Sequence, residues 1–175
     1  GLLINFVHTF WPSLLKIDTF LQEFITPIVK ATKGRKAIPF YTLPEYEVWK
    51  EEQGGGSGWT VKYYKGLGTS TAKEAKEYFA ALDTHQLDFQ WGDDQVDADL
   101  IDMAFSRKRV EDRKDWLRAF KTGTHADYNV EAVTYDSFIN EEFILFSMES
   151  IKRAIPCMLD GFKPSQRKVL FSCFK

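Results

Sequence analysis

The sequence predicts a mixed α+β fold, because segments with helical spacing alternate with short segments rich in β-branched and aromatic residues. Apolar residues recur at helical spacing near the start of the chain. A capping box, Thr71 with Glu74 three residues later, marks the start of another helix. Residues 23–43 contain two strand-like segments around a turn at Lys33-Gly34-Arg35. With 175 residues, of which 44% are hydrophobic, the chain has material for one ordinary domain or two small ones.

The first segment, GLLINFVHTFW, predicts a buried helix that Pro12 interrupts. It is too short to span a membrane, so we expect no membrane association. The two strands of residues 23–43 follow. Their prolines, Pro27 and Pro39, indicate that at least one of these strands lies at a sheet edge.

A short helix and a third strand are expected next. The helix, PEYEVWKEEQ, has Pro44 in its first turn, where proline is well tolerated. The strand, WTVKYY, comes after the segment from Gly54 to Gly58, which is either a mobile loop tip or an engineered linker.

A glycine turn, KGLGTST, lies between this strand and the capped helix. A strand, a glycine turn and a helix start together direct backbone N–H groups at one point, which suits a phosphate or a carboxylate beside Lys65. The expected contributors to this turn are Gly66, Gly68, Thr69 and Ser70. The turn does not match the established phosphate-loop motifs, so a plain tight turn ahead of a capped helix is the alternative.

The formal net charge of −2 conceals a strong segregation of charge. No lysine or arginine occurs between Lys76 and Arg107, a segment that contains seven aspartates. From Arg107 to Lys121, seven basic residues oppose three acidic ones, and from Lys152 to Lys175 six basic residues oppose one. Basic surface for a nucleic acid is therefore expected to be local.

The acidic and the first basic segment each allow a functional and a structural interpretation. Asp97 and Asp99 have the spacing of magnesium ligands, but the dense acidic surroundings favour a solvated helix start. The helix over residues 106–121 has a basic stripe, which is a solvated face, a salt-bridged packing surface or a phosphate contact. We favour the first two interpretations over the third.

The segment DGFKPSQRKVLF is the better candidate for contact with nucleic acid. Asp160-Gly161 predicts a turn, and proline then opens a helix. The cations Lys163, Arg167 and Lys168 combine there with free N–H groups and with Gln166, which suits a phosphate backbone. Docking of this basic helix start on a protein partner is the alternative.

Cysteine and histidine give no sign of a metal or catalytic centre. Cys157 and Cys173 form no Cys-x-x-Cys pair, and the three histidines are isolated, so neither a zinc site nor a nucleophilic triad is predicted. A reducing intracellular compartment is expected.

The ordered segments of the chain resemble the central region of eukaryotic type II DNA topoisomerases. The resemblance rests on GLLINF, WPSLL, EFITPIVKATK, FYTLPEYEVWK, KYYKGLGTST, AFSRKRVEDRKDWL, TYDSFINEEFILFS and RAIPCMLDGFKPSQRKVLFSCFK. It covers the chain apart from Gly54 to Gly58 and residues 122–132. It implies three parts: residues 1–121, the later part of a TOPRIM domain with connecting helices; residues 122–135, a linker; and residues 136–175, the start of a winged-helix domain.

The resemblance also implies site residues. Lys65 and the glycine turn would lie beside the magnesium site that holds the cut strand. Lys163, Gln166, Arg167 and Lys168 would hold the DNA backbone, with Arg153 nearby. The family pattern DGLKPGQRK appears here as DGFKPSQRK, with Phe162 and Ser165 as departures. The nucleophilic tyrosine and the acidic metal ligands of the family are expected outside this chain, so it contains no catalytic residue and no metal ligand of its own.

The reaction implied by the resemblance is passage of one DNA duplex through a transient double-strand break in another. Its cofactors would be Mg²⁺ and ATP, and its partners double-stranded DNA, the remainder of the topoisomerase chain and a second subunit of a homodimer in the nucleus. This segment is predicted to be inactive alone. A DNA-binding module without catalysis and a scaffold for protein interaction are the alternatives.

Overall fold

The computed structural model describes residues 1–64, 67–128 and 130–175. Helices surround two small sheets in these ranges, and the predicted mixed α+β fold is confirmed. The helices are α1 (Leu2–Phe10), α2 (Leu43–Glu52), α3 (Ala72–Ala80), α4 (Asp94–Phe105), α5 (Val110–Arg118), α6 (Tyr135–Ser137), α7 (Ile144–Ala154) and α8 (Pro164–Phe174). The strands are β1 (Gln22–Phe24), β2 (Val29–Lys33), β3 (Lys36–Phe40), β4 (Thr60–Tyr63), β5 (Gln86–Gln90) and β6 (Ala132–Thr134).

Shorter segments complete the chain. A 3₁₀ helix follows α1 at Pro12–Lys16, another lies at Leu67–Thr69, and a third lies at Leu82–Thr84. A π-helical segment, Phe138–Phe143, joins α6 to α7, so that the helical backbone is continuous over residues 135–154. None of the helices in the described ranges has the length and hydrophobicity that crossing a membrane requires.

The predicted pair of strands forms one edge of the sheet β3-β2-β4, in which all neighbours are antiparallel. Gly34 in the connecting turn has φ of +61°, a conformation that glycine adopts without steric cost. β3, which contains Pro39, is an edge strand, as predicted. The third predicted strand, β4, pairs with the other side of β2.

The second sheet has the order β1-β5-β6, with β1 antiparallel and β6 parallel to β5. β6 and the first residue of α6 fall within residues 122–135, which were predicted to be a linker. Phe89 of β5 is opposite Val133, and Tyr135 is fully buried with its ring 5.1 Å from that of Phe89. Because these apolar side chains pack in the core, the end of the predicted linker belongs to the sheet. The three-part domain division stays a prediction.

Two hydrophobic cores lie in the described ranges. The larger one combines α4, β5, β6 and the α6 to π-helical region, and its most buried members include Leu15, Ile101 and Ile139. The smaller one lies between α2 and the sheet β3-β2-β4, where Phe40 packs on Tyr46.

The prediction that the first helix is buried is wrong for most of its residues. Ile4 is buried, but Leu2 is 80% exposed and Phe10 is 61% exposed. α1 packs on α4 through one side only. The apolar face of α1 is wider than its contact with α4, so Phe6 and Phe10 form a surface cluster with Trp11, which follows the helix.

Candidate nucleic-acid interface

The carboxylate of Glu74 connects the end of β4 to the start of α3. Its Oε2 accepts hydrogen bonds from Lys62 Nζ at 2.8 Å, from the Thr71 backbone N–H at 2.8 Å and from Thr71 Oγ1 at 3.0 Å. Its Oε1 accepts a hydrogen bond from the hydroxyl of Tyr64. Thr71 Oγ1 also accepts from the Glu74 backbone N–H, so the predicted capping box is confirmed. Glu74 therefore contacts the chain on both sides of the glycine turn.

Two lysines on neighbouring strands face the same carboxylate. Lys30 of β2 is directly opposite Lys62 of β4, an arrangement of like charges that destabilises a sheet when it is not neutralised. Lys30 Nζ lies 3.7 Å from Glu74 Oε1 and 3.9 Å from Glu77 Oε2. Because the Glu74 side chain is only 13% exposed, its charge-assisted hydrogen bonds are made where little water competes for them.

The pKa values of Glu74 and Tyr64 shift in opposite directions. Burial alone would raise the pKa of Glu74, but hydrogen bonds from Lys62, Thr71 and Tyr64 outweigh it and hold this pKa well below the usual range. Burial, and then the hydrogen bond to Glu74, raises the pKa of Tyr64. At neutral pH, Glu74 is therefore an anion that accepts from a neutral phenol.

The predicted residues of the glycine turn lie in the sequence between Tyr64 and Thr71, which both contact Glu74. Lys65 and Gly66 are outside the described residues. Gly68 is exposed and Thr69 is half-buried, both in the 3₁₀ segment. The hydroxyl oxygen of Ser70 is buried and has no hydrogen-bond partner among the described residues. The role of these residues in holding a phosphate stays a prediction.

The simpler interpretation of the turn, a tight connection ahead of a capped helix, agrees with the geometry. The N–H groups of Thr71 and Glu74 are both bonded within the capping box. An anion at this turn would therefore have to use other donors at the start of α3.

The start of α8 is the second candidate region. Lys163 is its N-cap residue, and Pro164 is its first helical residue, as predicted. Gln166, expected to contact DNA, uses its Oε1 to accept from the Lys163 backbone N–H at 2.9 Å. In the described part of the chain, no side chain accepts from the first-turn N–H groups of α8. These donors and the amide N–H₂ of Gln166 are therefore available to a phosphate.

Arg167 is held by an acidic residue that precedes the helix. Asp160 Oδ2 accepts from Arg167 Nη2 at 2.5 Å, and Asp160 Oδ1 accepts from the Phe162 backbone N–H at 3.0 Å. These two bonds lower the pKa of Asp160, and the backbone bond has the larger effect. Gly161, within the predicted turn, has φ of +72°. Arg167 is thus oriented and partly neutralised, which its sequence position did not predict.

The other predicted cations carry no internal counter-charge. In the described ranges, Arg153, Lys163 and Lys168 form no ion pair, and Arg153 and Lys168 are exposed. Arg153 is in the last turn of α7, and Lys163 and Lys168 are at the N-cap and within α8. The predicted cations therefore lie on two helices that contact each other.

Half of the basic stripe predicted on the helix over residues 106–121 is occupied by internal contacts. Lys114 pairs with Glu111 and Arg118 pairs with Asp115, whereas Arg107 and Lys121 form no ion pair in the described ranges. Arg109, which precedes α5, pairs with Asp99 and Asp112. Arg113 donates to the backbone oxygens of Met103 and Ser106 at the end of α4. The salt-bridged packing surface is thus the interpretation that the structure favours over a phosphate contact.

Asp97 is not at a solvated helix start, so that prediction is wrong. It is 2% exposed and accepts a hydrogen bond from the Gly92 backbone N–H at 2.7 Å. Burial raises its pKa against the lowering effect of that hydrogen bond. Its carboxylate connects the end of β5 to the first turn of α4, which is a structural task rather than metal binding.

Across the part of the chain that the structure describes, no three or more His, Cys, Asp or Glu side chains are arranged to hold a metal ion. The donors in this part of the chain therefore do not fit a magnesium site. A cavity of about 550 Å³ contains two carboxyl groups, those of Glu23 and Glu142, among apolar side chains. Glu23 Oε2 is buried there without a hydrogen-bond partner among the described residues.

Sequence reasoning missed the strand residues of the Glu74 cluster. It identified Glu74 as the second half of a capping box, but not its contacts with Lys30, Lys62 and Tyr64. The signal was the period of an extended chain, since Lys62 of β4 and Tyr64, which follows the strand, are two residues apart and face the same side. Lys30 becomes their neighbour only through the register of β2 on β4, which the sequence does not state.

Comparisons with known proteins cover most or all of the chain. The model of a family described as the C-terminal associated domain of TOPRIM matches residues 24–151. DNA topoisomerase 2 of Arabidopsis thaliana is 58% identical over 178 residues, which cover 100% of this chain and 12% of that protein. DNA topoisomerase 2-alpha of Mus musculus is 52% identical over 187 residues, with the same two coverages.

A solved structure is also similar. It is the Plasmodium falciparum topoisomerase II DNA-binding, cleavage and re-ligation domain, with a TM-score of 0.84 and 52% sequence identity. The similarity covers 99% of this chain and 24% of that chain. The chain thus spans 12% of the length of these curated relatives.

Proposed function

The chain belongs to the family of the C-terminal associated domain of TOPRIM, and on that premise we propose that it works within the DNA cleavage and re-ligation core of a type II DNA topoisomerase. The resemblance to eukaryotic type II topoisomerases seen in the sequence is confirmed by relatives named DNA topoisomerase 2 that match the whole chain. The reaction is passage of one duplex through a transient double-strand break in another. The segment alone is inactive.

One observation carries this proposal most directly. The solved structure that matches 99% of this chain, at 52% identity, is titled as a DNA-binding, cleavage and re-ligation domain. The surface supports it, because the end of α7 and the start of α8 present three cations without internal partners, Arg153, Lys163 and Lys168, in the described ranges.

The task of this surface is to hold the DNA backbone. Lys163 and Lys168 supply point charges, the first-turn N–H groups of α8 supply directional donors, and the guanidinium of Arg167 keeps donors beyond the one that Asp160 uses. Contacts of this kind position a duplex without selecting a sequence. The glycine turn between β4 and α3 lies beside the phosphate of the cut strand.

Other parts of the proposal concern the full-length protein that contains this segment. Bound Mg²⁺ would stabilise the charge that develops at the scissile phosphate, and ATP would drive the conformational cycle. The full-length protein would act as a homodimer in the nucleus. The residues of this chain contribute support and DNA positioning.

The test is binding of a short DNA duplex to the 175-residue chain, followed by fluorescence anisotropy across a salt series. The variant combines Lys163→Ala, Arg167→Ala and Lys168→Ala. We expect this variant to bind more weakly than the wild type and to show a shallower dependence of log K on log salt concentration, because fewer counterions are released.

The matched control removes the same formal charge from α5 and the residues just after it, through Lys114→Ala, Arg118→Ala and Lys121→Ala. Two of these cations are ion-paired, so this variant should bind like the wild type. Equal losses in the two variants would show a general electrostatic effect. No loss in either variant would contradict the assignment of α8 and favour a scaffold without DNA contacts.

A further inference from the structure

We propose that Glu74 is a positioning residue that holds both ends of the glycine turn and thereby sets the efficiency of DNA cleavage without contacting DNA. This inference rests on the proposed function, because it assigns the turn a place beside the cut strand. It concerns a group of residues, Lys30, Lys62, Tyr64 and Glu74, that form one connected cluster. We call this group the Glu74 clamp.

The clamp contacts the chain on both sides of the turn, at Tyr64 and at Thr71. Tyr64 immediately precedes the turn and Thr71 immediately follows Ser70. The Tyr64 hydroxyl donates to one carboxylate oxygen of Glu74, and the Thr71 backbone N–H and hydroxyl donate to the other. One side chain thus fixes the entry and the exit of the turn relative to each other.

Burial and charge-assisted hydrogen bonds make the clamp rigid. The Glu74 side chain is 13% exposed, and Tyr64 is 7% exposed. Charge-assisted hydrogen bonds in such a place are short and strong. Lys62 at 2.8 Å and Lys30 at 3.7 Å add attraction from two strands of the same sheet. The anchors are therefore joined to the sheet and not only to the helix.

The clamp restricts the positions of the residues that flank the turn. Glycine gives the backbone more conformations than any other residue, so fixing the residues on both sides of a glycine-containing segment lowers the entropy of that segment. Displacement of a reacting group by about 1 Å can lower a rate on the order of a hundredfold. A clamp that fixes the residues on both sides of the turn can thus affect the rate of DNA cleavage without contacting DNA.

Two substitutions separate the role of the charge of Glu74 from the role of its hydrogen bond to Tyr64. Glu74→Gln keeps the length of the side chain and an oxygen that accepts from Thr71, but removes the negative charge. Lys30 and Lys62 then oppose each other across the sheet, and Glu77 at 3.9 Å still pairs with Lys30. Tyr64→Phe keeps the buried ring and the carboxylate and removes only the anchor at the entry of the turn.

The experiment uses the full-length protein that contains this segment. Duplex affinity is measured by anisotropy, and the fraction of bound DNA that is cleaved is measured on the same samples. We expect both variants to bind the duplex within about twofold of the wild type and to cleave about tenfold less of it, with the larger loss in Glu74→Gln.

The matched control is Glu77→Gln, one turn further along the exposed side of α3. Glu77 is 51% exposed, and its ion pairs with Lys30 and Lys73 are long, at 3.9 and 4.0 Å. This variant removes the same charge from the same helix and should cleave like the wild type. Cleavage that falls as far in Glu77→Gln as in Glu74→Gln would overturn the inference.

The remaining outcomes are also distinguishable. If the wild type cleaves DNA and both clamp variants cleave equally well, the positioning role is wrong and the proposed function stands. If binding and cleavage fall together with the thermal midpoint, Glu74 has a structural role only and the inference fails. If the wild type binds but does not cleave DNA under any condition with Mg²⁺, the proposed function itself fails.

Discussion

Arg167 donates from Nη2 to Asp160 Oδ2 at 2.5 Å, across the turn that leads into α8. The pair places a negative charge within the most basic segment of the candidate interface. Asp160 also accepts from the Phe162 N–H, so the same side chain shapes the turn. Asp160 therefore has two separable effects on DNA binding, one through charge and one through geometry.

Asp160→Asn separates these effects. The amide oxygen of Asn can still accept from the Phe162 N–H, but the charge that offsets Arg167 is lost. We expect duplex affinity at low salt to rise about threefold and the salt slope to steepen by about one, because Arg167 then releases a counterion of its own. Anisotropy across a salt series measures both quantities. A fall in affinity would show instead that Asp160 orients Arg167 toward the phosphate.

Glu23 makes the stability of the chain depend on pH. Burial, and then the neighbouring carboxyl group of Glu142, raise the pKa of Glu23 to about 8, with the Gly1 amine acting in the opposite direction. Tyr128 donates to Glu142 at 3.1 Å and also faces this pair. In the unfolded chain, Glu23 would ionise near its usual pKa of 4.5.

The sign of the effect follows from the protons bound. Between about pH 4.5 and 8, the folded chain keeps a proton on Glu23 that the unfolded chain has lost. The stabilisation is complete below pH 4.5 and is lost as pH rises to about 8, by an amount on the order of 5 kcal/mol.

Glu23→Gln should remove this part of the pH dependence and stabilise the chain at pH 8. Thermal unfolding of the 175-residue chain at a series of pH values measures it. Glu149→Gln, at a side chain that is 65% exposed, is the control and should leave the profile unchanged. A wild-type profile that is flat between pH 5 and 8 would contradict the assignment.

Asp97 should matter for stability because its buried carboxylate joins the end of β5 to α4. In Asp97→Ala, the Gly92 N–H loses its acceptor at 2.7 Å, and we expect a loss of about 1 kcal/mol in the free energy of unfolding. Denaturant titration measures this loss. Asp102→Ala, whose side chain is 56% exposed and 4.0 Å from Arg109, should change stability by less than about 0.5 kcal/mol. Similar losses in the two variants would show that Asp97 is no different from a surface aspartate.

Local signals in the sequence predicted most elements correctly. The capping box of Thr71 and Glu74, the turn at Gly34 and the prolines at the starts of α2 and α8 act within a few residues, so each could be recognised without the fold. The candidate cations of α8 were found in the same way, from composition and helix position.

The errors concern relations between distant segments. Burial of Asp97 depends on how β5 ends beside α4, and exposure of Phe10 depends on which side of α1 meets α4. The Lys30 contact with Glu74 needs the register of two strands. Tertiary packing determines this burial, this exposure and this contact. A periodic pattern in the sequence predicts that an element has an apolar face, but not which other element packs on that face.

Ser70 gives a test of the glycine turn that is independent of the clamp. Its buried hydroxyl oxygen has no partner among the described residues, so the folded chain carries an unpaid desolvation cost there. Ser70→Ala should therefore leave the thermal midpoint of the 175-residue chain unchanged or raise it, since the methyl group needs no hydrogen bond. If the hydroxyl serves a phosphate in the full-length protein, the same variant cleaves DNA less although it is no less stable. A variant that is clearly destabilised would show that the hydroxyl has a structural partner, and the turn would then be a support for α3 alone.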